Sequence, residues 1–200
     1  MTPMTVLKIR MIGDPVLRTP SATVGSVDRA IRELIEDMFE TMDAVSGIGL
    51  AAPQIGVGQR IFTYDVGGER GAVINPELQL LGPESFTARE EGPAEAENLL
   101  REGCLSVAEI YAPVLRSQRV LLTGISTEGS PVEIEATGLL AACFQHEVDH
   151  LDGRLFVDRL TGADKIAAAQ TLRSKQYGLA IDQTQGTRRT SNAGSSFFAS

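Results

Sequence analysis

Gly138-Leu139-Leu140-Ala141-Ala142-Cys143-Phe144 leads without a charged side chain into Gln145-His146-Glu147-Val148-Asp149-His150, and Leu151-Asp152-Gly153 closes the stretch. The apolar lead-in predicts a buried helix, and Gly153 marks where it should stop. A spacing of four puts His146 and His150 on one helix face, a turn apart, where both imidazoles can reach one metal ion. They are the only two histidines among 200 residues, so the chain's whole imidazole supply stands on this turn. A buried polar group without a partner costs about 2–7 kcal/mol. A metal and its supporting hydrogen bonds would give a buried helix reason to carry two histidines, a glutamate and an aspartate. Glu147, next to the first histidine, is placed to handle a proton beside the metal rather than to bind it.

Working outward, the other signals are short. Asp28 to Ala44 reads as an amphipathic helix, with Ile31, Leu34, Ile35, Met38, Phe39 and Met42 at three- and four-residue spacings. Gln59 to Val66, Gly71 to Ile74 and Glu77 to Leu81 read as short strands, separated by Gly67-Gly68 and Asn75-Pro76. Strand signals resume at Arg119 to Thr127 and at Val132 to Ala136, and a last helix is predicted from Gly162 to Gln176. Gly82 to Arg101 is a polar, acidic excursion without a period, and the residues from Gly178 onward read as a disordered tail. There is no alternating βα rhythm. The expected fold is therefore α+β: short, mostly antiparallel strands around a central buried helix carrying the histidines, plus an N-terminal and a C-terminal helix. One domain over residues 1–177 accommodates all of it, with an insertion at 82–101 and a tail at 178–200.

Composition narrows the function classes. The net charge is −8, and Glu84 to Glu102 carries six glutamates against two arginines. That balance argues against free nucleic acid as the ligand. No apolar run reaches the roughly 18–20 residues needed to span a bilayer, so no membrane association is expected. Met1 to Met11 lacks the charged and apolar segments of a secretory signal. With two cysteines, Cys104 and Cys143, the chain reads as a cytoplasmic protein with reduced thiols.

Two histidines leave a hydrolytic metal site short, because three protein ligands and one open position are wanted. Cys104, in Glu102-Gly103-Cys104-Leu105-Ser106, is on spacing alone as readily an ordinary buried thiol as a ligand. Cys143, three residues before His146, reads better as packing. A third segment, Gly47-Ile48-Gly49-Leu50-Ala51-Ala52-Pro53-Gln54-Ile55-Gly56, is small and apolar except for Gln54. Gln54 could donate to a developing oxyanion; from composition alone, tying down its own loop is the simpler role.

Gly-Ile-Gly-Leu-Ala-Ala-Pro-Gln, Glu-Gly-Cys-Leu-Ser and Gln-His-Glu-Val-Asp-His-Leu-Asp-Gly occur in that order. They resemble the three signature motifs of the peptide deformylases, and Gly13-Asp14-Pro15-Val16-Leu17-Arg18 is similar to the family's usual opening. The resemblance spans roughly residues 8 to 160. It implies a metal held by Cys104, His146 and His150, Fe(II) in the native family enzyme with Ni, Co or Zn as substitutes. It also implies the substrate, the formyl-methionyl end of a nascent polypeptide, and the products, formate and a free amino terminus. Glu147 then carries the proton, and the Gln54 side chain and Leu105 backbone N–H face the oxyanion. The methionine pocket falls on Ile48, Leu100, Leu139, Ala142 and Cys143, and Gly49 meets the peptide backbone. Asp149 supports the site, with Arg116 as its partner by family position.

Departures from the family pattern are Ala108 where many members have proline, Tyr111 where some have arginine, and the long acidic stretch. In some members the C-terminal helix docks on the ribosome, and Arg173 and Lys175 permit the same here. Two other readings compete: an endopeptidase using a third ligand other than Cys104, and a metal-stabilised binding module indifferent to Glu147. A deformylase-like enzyme acting on another formylated amine is a third.

Overall fold

The computed structural model describes residues 6–86, 100–175, 177–178 and 198–199. Helix α1 (Arg29–Ala44) starts at Asp28, whose carboxylate accepts the Ile31 N–H, and buries Ile31, Ile35, Met38 and Met42. Then come β1 (Gly49–Ala51), a 3-10 turn at Ala52–Ile55, β2 (Ile61–Val66), β3 (Glu69–Leu80) and β4 (Glu84–Phe86). Past the acidic stretch lie β5 (Arg101–Cys104), β6 (Val107–Ala112), β7 (Leu115–Ser117), β8 (Arg119–Ile125) and β9 (Pro131–Thr137). Helix α2 (Gly138–Leu151) carries the histidines; a 3-10 turn at Phe156–Asp158, α3 (Gly162–Arg173) and β10 (Phe198–Ala199) complete the order.

The strands pair antiparallel in three sheets ordered β1-β2-β3-β8-β9, β10-β5-β6 and β4-β7. The architecture is the expected α+β, and α2 is buried along most of its length. Period-two alternation in β2 divides the interior. Ile61 faces the core that α1 shares with β5, β6 and the chain's beginning, whereas Phe62, Tyr64 and Val66 face a second core under α2. Phe144 seals that second core, with ring centroids 5.8 Å from Phe62 and 5.0 Å from Tyr64.

Several boundaries differ from expectation for identifiable reasons. Asn75-Pro76 was expected to break the strand, but β3 runs through it as a bulge, with the register against β8 shifting between Ile74 and Glu77. Asn75 adopts φ 50° and anchors the bulge by bonding both the N–H and the carbonyl of Val24, at 2.8 and 2.9 Å. The strands β6 and β7 were not foreseen; each is short, and Pro113 separates them. Helix α3 ends at Arg173 and is interrupted at Ser174, after which Lys175, Tyr177 and Gly178 are again helical, around the expected end near Gln176. The start of the acidic excursion forms β4 against β7, while residues 87–99 lie outside the described residues. Of the tail expected to be disordered, residues 179–197 and 200 also lie outside them, and Phe198–Ala199 pair with β5.

Candidate active site

Several elements converge on α2. Gln145 anchors the helix to β7 as a strand would: its Oε1 accepts the Ser117 N–H and its Nε2 donates to the Ser117 carbonyl, both at 2.9 Å. At the other end, Arg60 donates to Asp152 at 2.8 Å, and Gly153 (φ 73°) passes so close to Arg18 that a Cβ would stand 2.8 Å from its carbonyl oxygen. Held this way, α2 presents Leu139, Ala142, Cys143, His146, Glu147 and His150 at helical spacing.

Strand β5 delivers Cys104 to that face. Its Sγ lies 3.2 Å from Nε2 of His150 and accepts the Ser106 N–H at 3.4 Å. One ligand atom from each of Cys104, His146 and His150 falls within 4.8 Å of the others, and all three residues are buried. The donor set, one thiolate sulfur and two imidazole nitrogens, suits a transition metal of intermediate softness with one position left for a reactant. Cys104 therefore belongs with the histidines, and Cys143 does not join them. Its thiol donates to the Ile48 carbonyl at 3.6 Å and burial pushes its pKa up, as befits a packing thiol.

Glu147 is fully buried, and neither carboxylate oxygen has a hydrogen-bond partner among the described residues. Burial, followed by the nearby charge of Glu102, pushes its pKa well above the ordinary carboxylate value. Burial next to His146 likewise pushes His150 down towards the neutral imidazole that ligates metals.

The 3-10 turn at Ala52–Ile55 contributes Gln54, whose side-chain carbonyl oxygen has the loop-tying role weighed from the sequence and whose amide nitrogen stands beside the Cys104 sulfur. Its Oε1 ties the loop by accepting the Ala51 N–H at 2.8 Å, while its Nε2 is directed at Cys104 Sγ (3.7 Å) and Ser106 Oγ (3.4 Å). Leu105 follows Cys104 and is buried. Ile48 and Leu139 are half-buried against the second core, Ala142 and Cys143 are buried, and Leu100 stands half-buried just before β5. Gly49 lies against the α2 face: a Cβ there would come within 2.9 Å of the Glu147 carboxyl carbon and 3.0 Å of Cys143 Sγ.

Behind the histidines runs a line of buried charge. His146 Nδ1 lies 2.5 Å from Glu102 Oε1, and Arg116 donates to both oxygens of Glu102 at 2.6 and 3.1 Å. The other arm of Arg116 donates to Asp149 at 2.6 Å, the pairing expected from the sequence. Arg159 then grips both oxygens of Asp149 at 2.5 Å. Burial opposes the charge on Glu102, yet Arg116 and His146 hold its pKa down at about 2. The sequence reading gave no role to Glu102 or Arg159. Glu102 stood inside a quoted motif; Arg159, ten residues after Asp149 and beyond the Gly153 turn, offered no local spacing to read.

The sequence model of the polypeptide deformylases matches residues 6–166. The chain belongs to that family. A peptide deformylase of Acidothermus cellulolyticus is 43% identical over 174 residues, covering 87% of this chain and 89% of its own. The crystal structure of a Legionella pneumophila peptide deformylase superposes with a TM-score of 0.74 at 34% identity, covering 94% of this chain and 99% of that one. A Synechococcus elongatus deformylase solved in complex with actinonin gives 0.74 at 33% identity, covering 91% of each chain. Within the family fold, the described residues include no helix long and apolar enough to cross a membrane.

Proposed function

We propose that this deformylase hydrolyses the N-formyl amide of formyl-methionyl nascent polypeptides with Glu147 as the proton carrier, at a centre where Cys104, His146 and His150 hold one Fe(II). The observation that carries the reading is Glu147, a fully buried carboxyl without hydrogen-bond partners among the described residues, next in the chain to a buried Cys104, His146 and His150 cluster that could hold a metal. When bound, the metal acidifies water and polarises the formyl carbonyl.

The chain's own groups do the rest. Glu147 takes the proton of the attacking water and returns it to the amine nitrogen as the C–N bond breaks, leaving formate and a free amino terminus. Its burial keeps the carboxyl pKa high, which suits a group that must both accept and release a proton. The Gln54 amide and the Leu105 N–H face the carbonyl oxygen as negative charge builds on it. Ile48, Leu100, Leu139, Ala142 and Cys143 receive the methionine side chain, and Gly49 lets the peptide backbone come close.

Fe(II) is the resident metal in this reading, with Ni, Co or Zn as substitutes; metal analysis of protein purified without oxygen tests it. Residues 1–177 act as one domain in the cytoplasm, and the exposed Arg173 and Lys175 meet the ribosome. Neutralising both should release the protein from co-sedimenting ribosomes, and unchanged co-sedimentation removes that contact. The main test is formate release from a formyl-Met tripeptide by Fe(II)-loaded protein, with the acetyl analogue alongside. Formate from the formyl peptide alone supports the assignment. No formate from fully loaded protein overturns it.

A further inference from the structure

We infer that Arg159 is a positioning residue for the metal centre, clamping Asp149 so as to close a line of buried charge through Arg116 and Glu102 to His146. The inference rests on the metal-site reading above and extends it to a residue that touches neither ligand nor substrate.

The geometry is continuous. Arg159 holds Asp149 with two nitrogens, Arg116 bridges Asp149 and Glu102, and Glu102 faces Nδ1 of His146. The side chains of Glu102, Arg116 and Asp149 are at most 5% exposed, whereas Arg159 is 35% exposed. Four segments meet in the line: β5 gives Glu102, β7 gives Arg116, α2 gives Asp149 and His146, and the residue after the 3-10 turn at Phe156–Asp158 gives Arg159. The same turn lays the Phe156 ring over the His146 imidazole, centroids 6.2 Å apart. A single short segment thus fixes α2 at two points one turn apart, one by packing and one by charge.

Charge count explains why the outer arginine matters. Two carboxylates face two guanidinium groups, so the line is neutral only with Arg159 in place. Without it, Arg116 alone must serve both Glu102 and Asp149. Any movement of Arg116 towards Asp149 withdraws it from Glu102, the group that orients His146. Carboxylates that orient ligating histidines govern how well the metal is held, so the effect should appear in metal binding as well as in rate.

The test uses the full chain stripped of metal and titrated anaerobically with Co(II) against a competing chelator, reading both the dissociation constant and the Co(II) absorption bands. Arg159→Met, which keeps apolar bulk but removes charge and donors, should raise the constant about tenfold and shift the bands. Arg159→Lys, which restores charge without the two-pronged grip, should fall between. A purely structural arginine would lower the melting temperature while leaving both metal readouts at native values, and that result in folded Arg159→Met overturns the inference. If Arg159→Met does not fold, Arg159→Lys decides, and native constants and bands there overturn it equally. A native chain that takes up no Co(II) would instead refute the metal site itself.

Discussion

Gly49 and Glu147 occupy interlocking space: the carboxyl carbon of Glu147 lies 2.9 Å from where a Cβ on Gly49 would stand. Glycine is needed here for room, since its φ is not in the left-handed region. The absent side chain lets the carboxyl of Glu147 sit against β1, where burial raises its pKa.

Gly49→Ala should therefore displace Glu147, the proposed proton carrier, while leaving Cys104, His146 and His150 in place. A misplacement of about 1 Å can cost about a hundredfold in rate, and a fall of that order in kcat is expected with metal content unchanged. Steady-state formate release with metal analysis checks it. Native kcat in Gly49→Ala would mean that Glu147 tolerates displacement and is not the proton carrier.

Gln54→Leu should separate two effects. Loss of the Nε2 donor should cost about 10²–10³ in kcat, or about 2.7–4 kcal/mol of transition-state stabilisation. Loss of the Oε1 acceptor leaves the Ala51 N–H unpaired and should lower stability by about 1–3 kcal/mol. Urea unfolding and formate kinetics on the same preparation measure both. A stability loss without a rate loss would reduce Gln54 to a loop tie.

Arg116→Met leaves Glu102 without a cation and Asp149 with Arg159 alone. Breaking a buried pair by removing one partner typically costs about 3–5 kcal/mol, and a loss of that size is expected by urea unfolding. A loss typical of a surface ion pair, below about 1 kcal/mol, would contradict the buried charge line.

How far the sequence could be read follows from the range of each interaction. The helix with His146, Glu147 and His150 was legible because its signals are local: four-residue spacing, an apolar lead-in and a closing glycine. Cys104 was ambiguous by spacing, because its partners sit more than 40 residues away and only the fold joins β5 to α2. The resemblance of the flanking motif resolved what spacing left open. Glu102 and Arg159 depend wholly on tertiary pairing, so no periodicity announces them. Asn75-Pro76 misled because proline normally ends a strand, whereas here an asparagine at positive φ turns the interruption into a bulge.

The most direct test of the account is Glu147→Gln, measured for metal content and formate release together. Glutamine preserves shape but cannot carry the proton, and general acid–base catalysis is worth about 10²–10⁴ in rate. The account predicts full metal occupancy with formate release reduced by that factor. Undiminished formate release from the metal-loaded Glu147→Gln variant would contradict it.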